Sequence, residues 1–102
     1  MLNHYPTSNN HYIIVPFCNG GDLRKYLNKK VKVSEEEGLK IIRNIIRGMN
    51  ELYNNDIAHR DLKPDNILIN DDIFKVADFG FSTLMNGESM KEKCGTPLYM
   101  SP

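Results

Sequence analysis

The chain has 102 residues, about one small domain, of which 40% are hydrophobic and a quarter charged, as in a soluble globular chain. Thirteen basic residues balance thirteen acidic ones, so no bulk field draws in nucleic acid or a membrane surface. No apolar run approaches the roughly 18 residues of a membrane span, no signal peptide is visible in MLNHYPTSNN, and Cys18 and Cys94 lack metal-ligand spacing. Free thiols point to a reducing, cytoplasmic setting.

Taken in order, residues 3–10 (NHYPTSNN) are rich in turn formers and read as a turn. HYIIV (11–15) follows as a β-branched strand, then PFCNGG as a connector. Asp22 can cap a short helix through about Asn28. Ser34 with Glu37 makes a capping box, and Glu35, Glu36 and Glu37 favour a helix N-terminus. In the helix that follows, Leu39, Ile42, Ile46, Met49 and Tyr53 step by threes and fours, and Ile41, Ile45 and Leu52 widen the stripe. The stripe reads as core, with neighbours on more than one side. Gly48 inside it costs about 1 kcal/mol against alanine, which close packing would explain. ILI, an NDD turn and IFKVA then form a hairpin. From Asp78 to Pro102 no period is sustained, and the segment reads as one long loop.

Between helix and hairpin lies HRDLKPDNILIN (59–70). Pro64 argues against a helix over 59–66, so Asp61 and Asn66 are displayed from a loop. With Asp71 and Asp72 as a two-residue turn, Asn70 faces Ile73 and Asn66 faces Ala77, next to Asp78. Opposed strand residues lie about 4.5–5.5 Å apart. An amide and a carboxylate therefore converge as a small oxygen-only site, which suits Mg²⁺ held partly by phosphate and water. Asp61 could orient a hydroxyl, with the Lys63 charge beside it. Together these groups describe phosphoryl transfer.

H-R-D-L-K-P-D-N followed by D-F-G (Asp78, Phe79, Gly80) resembles the catalytic loop and metal motif of eukaryotic protein kinases, and CGTPLYMSP (94–102) resembles the segment leading into their A-P-E motif. Lys63 is similar to the lysine of the serine/threonine branch. CNGGDL, DFGFS and CGTPLYMSP look most like the autophagy-initiating branch. The resemblance implies an α+β, protein-kinase-like fold: residues 1–15 would end the N-lobe, 16–21 would be the hinge, and 22–102 would begin the C-lobe. It implies Asp61 as catalytic aspartate, Lys63 as γ-phosphate lysine, Asn66 and Asp78 as metal ligands, and ATP and Mg²⁺ as cofactors. Val15 would be the gatekeeper, with backbone groups of Pro16 and Cys18 at adenine, Leu68 beneath it and Asp22 at the ribose. His59 would pack beneath Phe79, Thr96 would bond Asp61 and Lys63, and Arg60 would pair with an activation-loop phosphate. The substrate would be a protein Ser/Thr hydroxyl.

Pro16 departs from the usual hinge glutamate but removes only an N–H. At the usual phosphoacceptor position, four before Thr96, stands Glu92. Its single charge would partly replace a phosphate's 1.5–2 or so. Ser82, Thr83 and Ser89 remain other possible phosphosites. No G-x-G-x-x-G loop, V-A-I-K lysine or helix-C glutamate is present. The chain therefore reads as part of a kinase domain with the N-lobe mostly absent, inactive alone and exposing apolar surface on the 35–54 helix. The alternative is a non-catalytic kinase-like fragment or pseudokinase acting as a binding module.

Overall fold

The computed structural model describes residues 2–85 and 94–100. Strands β1 (Asn3–Pro6) and β2 (His11–Ile14) form an antiparallel hairpin with Asn3 opposite Ile14 and Pro6 opposite His11. The turn expected over residues 3–10 is thus confined to its second half. There Thr7 N donates to the Asn10 carbonyl at 2.7 Å, and Thr7 Oγ1 accepts from Asn10 N at 3.0 Å. Pro6 is tolerated because it ends an edge strand, where no N–H is required.

Strand β3 (Gly21–Asp22) runs directly into α1 (Leu23–Lys29), whose first turn is capped by Asp22 accepting from Lys25 N at 2.8 Å. Helix α2 (Glu35–Asn54) begins at Ser34, which accepts from Glu37 N at 3.1 Å. The reciprocal half of the capping box does not form. The Glu37 carboxylate accepts instead from the Lys30 ammonium and the Tyr26 hydroxyl. A charged donor makes a stronger bond than a backbone N–H, and here it fastens α1 to α2.

Strand β4 (Ile57–Ala58) follows α2, and β5 (Ile67–Asn70) and β6 (Ile73–Val76) form the second hairpin. Asn70 stands opposite Ile73 and Ile67 opposite Val76, the register expected from the sequence. Asp71 (φ 45°) and Asp72 (φ 65°) both lie in the left-handed region, as a two-residue hairpin turn of this hand requires. β5 is the middle strand of the sheet β3–β5–β6.

The core is Leu23, Ile41, Ile67, Ile69 and Phe74, with Tyr26, Leu27, Ile45 and Val76 packed against it. Of the stripe read as core, Ile46 and Tyr53 are 59% and 70% exposed, and they form the apolar surface expected on the 35–54 helix. Gly48 explains the choice of face. A Cβ there would come within 3.0 Å of Val76 Cγ2, so β6 lies against the Ile41–Ile45–Gly48 line, whose residues share one side at helical spacing. Leu39, Ile42, Ile46 and Tyr53 are left exposed.

Two further expectations fail for the same reason. The segment after Asp78 contains β7 (Thr83–Leu84), paired with β4, and a 3₁₀ turn at Pro97–Tyr99. Residues Pro64–Asn66 also form a 3₁₀ turn, with proline at its first position, where the missing N–H has no helical partner to lose. Elements of two or three residues are too short to leave a periodic pattern. Among the described residues, no helix is long and apolar enough to cross a membrane.

Candidate active site

Among the described residues the buried polar side chains are His59, Asp61 and Asn66, at 2%, 5% and 6% exposure. All three belong to one eight-residue stretch. Burying a carboxylate is costly unless it is paired and hydrogen-bonded, and Asp61 is both. Its Oδ2 accepts from Lys63 Nζ at 2.8 Å and Asn66 Nδ2 at 3.0 Å; its Oδ1 accepts from Thr96 Oγ1 at 2.6 Å. Asn66 Nδ2 also donates to the Asp61 carbonyl at 2.9 Å. Lys63 Nζ donates to Thr96 Oγ1 at 2.9 Å, closing a ring of three side chains. The Lys63 ammonium first, then the Thr96 hydroxyl, draws the Asp61 carboxyl down to about 2 against the opposing effect of burial. Asp61 in turn raises the Lys63 ammonium above its ordinary value. The pair is therefore ionised across the neutral range.

His59 fixes the backbone beneath this ring. Its Nε2 is 3.0 Å from the Ala77 carbonyl and its Nδ1 is 3.3 Å from the Asp61 N–H. A carbonyl can only accept and an amide can only donate, so the ring is neutral with its proton on Nε2. The Phe79 ring meets it edge-on at 5.3 Å between centroids.

Arg60, between the two, has φ 68°, a conformation that costs a non-glycine residue roughly 1–2 kcal/mol. Its Nε donates to the Phe81 carbonyl at 2.6 Å. Across from it stands Gly95 (φ 104°), where a Cβ would collide with the Arg60 carbonyl. Only glycine lets the 94–96 segment come close enough for Thr96 to reach Asp61.

The β5–β6 ladder extends one rung past its strands, with Ala77 N donating to the Asn66 carbonyl at 2.8 Å. Asp78 is the next residue, exposed and left-handed (φ 61°), its Oδ1 accepting from Gly80 N at 3.2 Å. Asn66 spends its N–H groups on Asp61, which leaves the amide oxygen as its donor to a cation.

The structure brings Asp61, Lys63, Asn66 and Thr96 into direct contact. No bond joins the residues expected at ATP to that ring among the described contacts. Val15 and Pro16 are exposed, and the half-buried Cys18 sets its thiol 3.9 Å from the Pro16 carbonyl. Leu68 stands opposite Asp22 across the β3–β5 pair. Asp22 is already occupied by the N–H and ammonium of Lys25, the latter at 3.0 Å, and the Lys25 N–H chiefly lowers its carboxyl. Glu92 and Ser89 lie outside the described residues.

Three residues not singled out from the sequence also meet here. Arg24 donates to Asp65 Oδ2 through Nε at 3.3 Å and Nη2 at 3.2 Å, and to the Tyr99 hydroxyl. Nothing in the order of residues marks them, because they are separated by 41 and 75 positions. Below the loop an apolar cavity of about 410 Å³ is lined by Leu23, Ile41, Ile42, Ile67 and Tyr99 among others.

The family model of the protein kinase domain matches residues 1–102. The chain is 40% identical over 104 positions to the phosphorylase b kinase gamma catalytic chain, liver/testis isoform, of Bos taurus, covering all of this chain and 26% of that protein. It is 41% identical over 96 positions to the serine/threonine-protein kinase atg1 of Dictyostelium discoideum, covering 89% of this chain and 14% of that one. To the serine/threonine-protein kinase RAD53 of Saccharomyces cerevisiae it is 38% identical over 102 positions, covering 96% and 12%. The chain thus spans about a quarter or less of the length of these relatives. Kinship with atg1 is no closer than with the phosphorylase kinase chain, so the autophagy-initiating branch is supported only loosely. Buried acid, paired lysine and matching sequence agree: the chain belongs to the eukaryotic serine/threonine protein kinases.

Proposed function

We propose that this segment carries the phosphoryl-transfer loop of a Mg-ATP-dependent protein kinase acting on a serine or threonine hydroxyl. The observation that carries the reading is Asp61, a buried carboxylate with both oxygens bonded and its charge held by Lys63 and Thr96. Asp61 would orient the substrate hydroxyl and accept its proton, since one of its lone pairs can be exchanged from Thr96 to an incoming O–H. Lys63 would swing from Asp61 toward the transferring phosphate, being half-buried and strongly basic.

The donor set fits magnesium. Among the described residues no three His, Cys, Asp or Glu side chains gather into a metal site, so the ion would rest on Asn66 and Asp78 plus phosphate and water, the usual sparse protein contribution for this hard cation. When bound it would neutralise phosphate charge. Asn66 then has two tasks, its N–H groups orienting Asp61 and its oxygen turned to the ion. Val15, Pro16, Cys18, Asp22 and Leu68 would flank ATP, with Asp22 exchanging the exposed Lys25 ammonium for a ribose hydroxyl. In this reading residues 1–15 end an N-lobe, 16–21 form the hinge and 22–102 begin a C-lobe. Free Cys18 and Cys94 fit a reducing, cytoplasmic setting.

The test is transfer of the ATP γ-phosphate to a Ser/Thr peptide by the full-length protein, with and without Mg²⁺. Metal-dependent transfer that Asp78→Asn abolishes supports the reading. A full-length protein that binds neither nucleotide nor metal would overturn it in favour of the binding module. The 102 residues by themselves should transfer no phosphate.

A further inference from the structure

Each oxygen of the Asp61 carboxylate is held from a different 3₁₀ turn. Asn66, ending the Pro64–Asn66 turn, donates to Oδ2. Thr96, which caps the Pro97–Tyr99 turn, donates to Oδ1. The two turns are stapled on the inside by Lys63, bonded to both Asp61 and Thr96. They are stapled again on the outside by Arg24, whose guanidinium reaches Asp65 in the first turn and Tyr99 in the second. The planar fork of arginine suits this double reach in a way a lysine point charge does not. The guanidinium also lies 5.7 Å from the Tyr99 ring centroid.

The two staples differ in what happens during the proposed reaction. If Lys63 turns to a phosphate, its bonds to Asp61 and Thr96 are given up and the inner staple opens. Arg24 has no such task, since its base sits on α1, outside the ring. We propose that Arg24 is a positioning residue: its Asp65–Tyr99 clamp keeps the Pro97–Tyr99 turn, and with it Thr96, docked on the Asp61 loop while Lys63 is engaged. The clamp acts through the turn's own bond, Tyr99 N donating to the Thr96 carbonyl at 2.9 Å. This inference rests on the kinase reading for its catalytic consequence, though not for the clamp itself.

Two measurements on the full-length protein test it, the first independent of activity. In Arg24→Ala the Tyr99 amide should exchange its hydrogen at least about fivefold faster, within the range of local opening, while the Ile69 and Phe74 amides keep their rates. Unchanged exchange at Tyr99 overturns the clamp. The second is steady-state kinetics. Arg24→Ala should lower kcat/KM for the protein substrate about five- to twentyfold while leaving KM for ATP unchanged, and Arg24→Lys should recover only part of the loss. Faster exchange with unaltered protein-substrate kinetics overturns the positioning role. Tyr99→Phe combined with Arg24→Ala should add little to Arg24→Ala alone; additive losses would show that the two side chains act separately. If the wild type transfers no phosphate at all, the kinase reading fails, and the exchange result still decides the clamp.

Discussion

The β1–β2 hairpin and the β5–β6 hairpin are both antiparallel pairs of four-residue strands, yet they are held by different forces. All eight residues of β1 and β2 are exposed, so that hairpin rests on its ladder and on cross-strand contacts such as Tyr5 opposite Tyr12. In the second hairpin Ile67, Ile69 and Phe74 are buried in the core, and the 3₁₀ turn leading into β5 carries Asn66 to Asp61. A lone two-stranded hairpin is at best marginally stable in water. The difference teaches where rigidity is concentrated: the loop acid is braced through Asn66 by the hairpin that owns the core, and the hairpin leading to the proposed hinge has no core of its own.

The largest effect expected from this division is on chemistry. Asp61→Asn keeps the shape and the Thr96 contact but removes the charge that orients a hydroxyl and holds Lys63. Phosphate transfer by the full-length protein should fall by about 10²–10⁴-fold, the usual worth of a positioned acid or base, with nucleotide binding retained. Loss below tenfold would take Asp61 out of the reaction.

Next in size is stability. Ile67→Ala removes a side chain 1% exposed at the centre of the sheet and should cost about 2–5 kcal/mol, read from the midpoint of denaturant unfolding. A cost under about 1 kcal/mol would mean that β5 does not anchor the core.

The third concerns pH. Because Asp61 is drawn down from 3.8 to about 2, its ionic bond to Lys63 stabilises the fold fully above about pH 4. That contribution should fade as the pH drops from there toward 2. Lys63, raised above 10.5, keeps its contribution below that value and loses it only as the pH climbs through its higher folded value. The pair should therefore be intact from about pH 4 to 10, and the Asp61 carboxyl carbon should show no NMR titration step in that window. A step near pH 5 or 6 would mean that the Lys63 and Thr96 contacts do not hold in solution.

These contrasts also mark what the sequence makes legible. Asp22 and Ser34 announce helix starts because a cap is a local bond between neighbours. Asp71 and Asp72, as a two-residue turn between the apolar runs ILI and IFKVA, fix the second hairpin's register for the same reason. The buried face of α2 is not legible: apolar residues lie on so much of its circumference that only the Gly48–Val76 approach chooses among them. The site divides likewise. Asp61, Lys63 and Asn66 sit within six residues and show their chemistry directly. Thr96 is 35 positions from Asp61, and only its likeness to a known motif brings it near. Asp65 and Tyr99 lie inside quoted motifs and Arg24 does not, but nothing in those motifs pairs the three, and their meeting is a product of the tertiary fold.

The smallest effect should fall on the first hairpin, and it sharpens the comparison most. Tyr12 is 55% exposed and directly opposite Tyr5, a pair of the kind worth about 0.2–1 kcal/mol. Tyr12→Ala should therefore cost less than about 1 kcal/mol, and the loss should stay local. In hydrogen exchange the Thr7 and Leu2 amides, which bond the Asn10 and Ile14 carbonyls, should lose protection. The amides of β5 and β6 should keep theirs, because neither strand of the first hairpin belongs to the β3–β5–β6 sheet. If Tyr12→Ala instead loosens Ile69 and Phe74 together with Thr7, the two hairpins unfold as one cooperative unit. The acid would then be held no more firmly than the strands that lead to the proposed hinge.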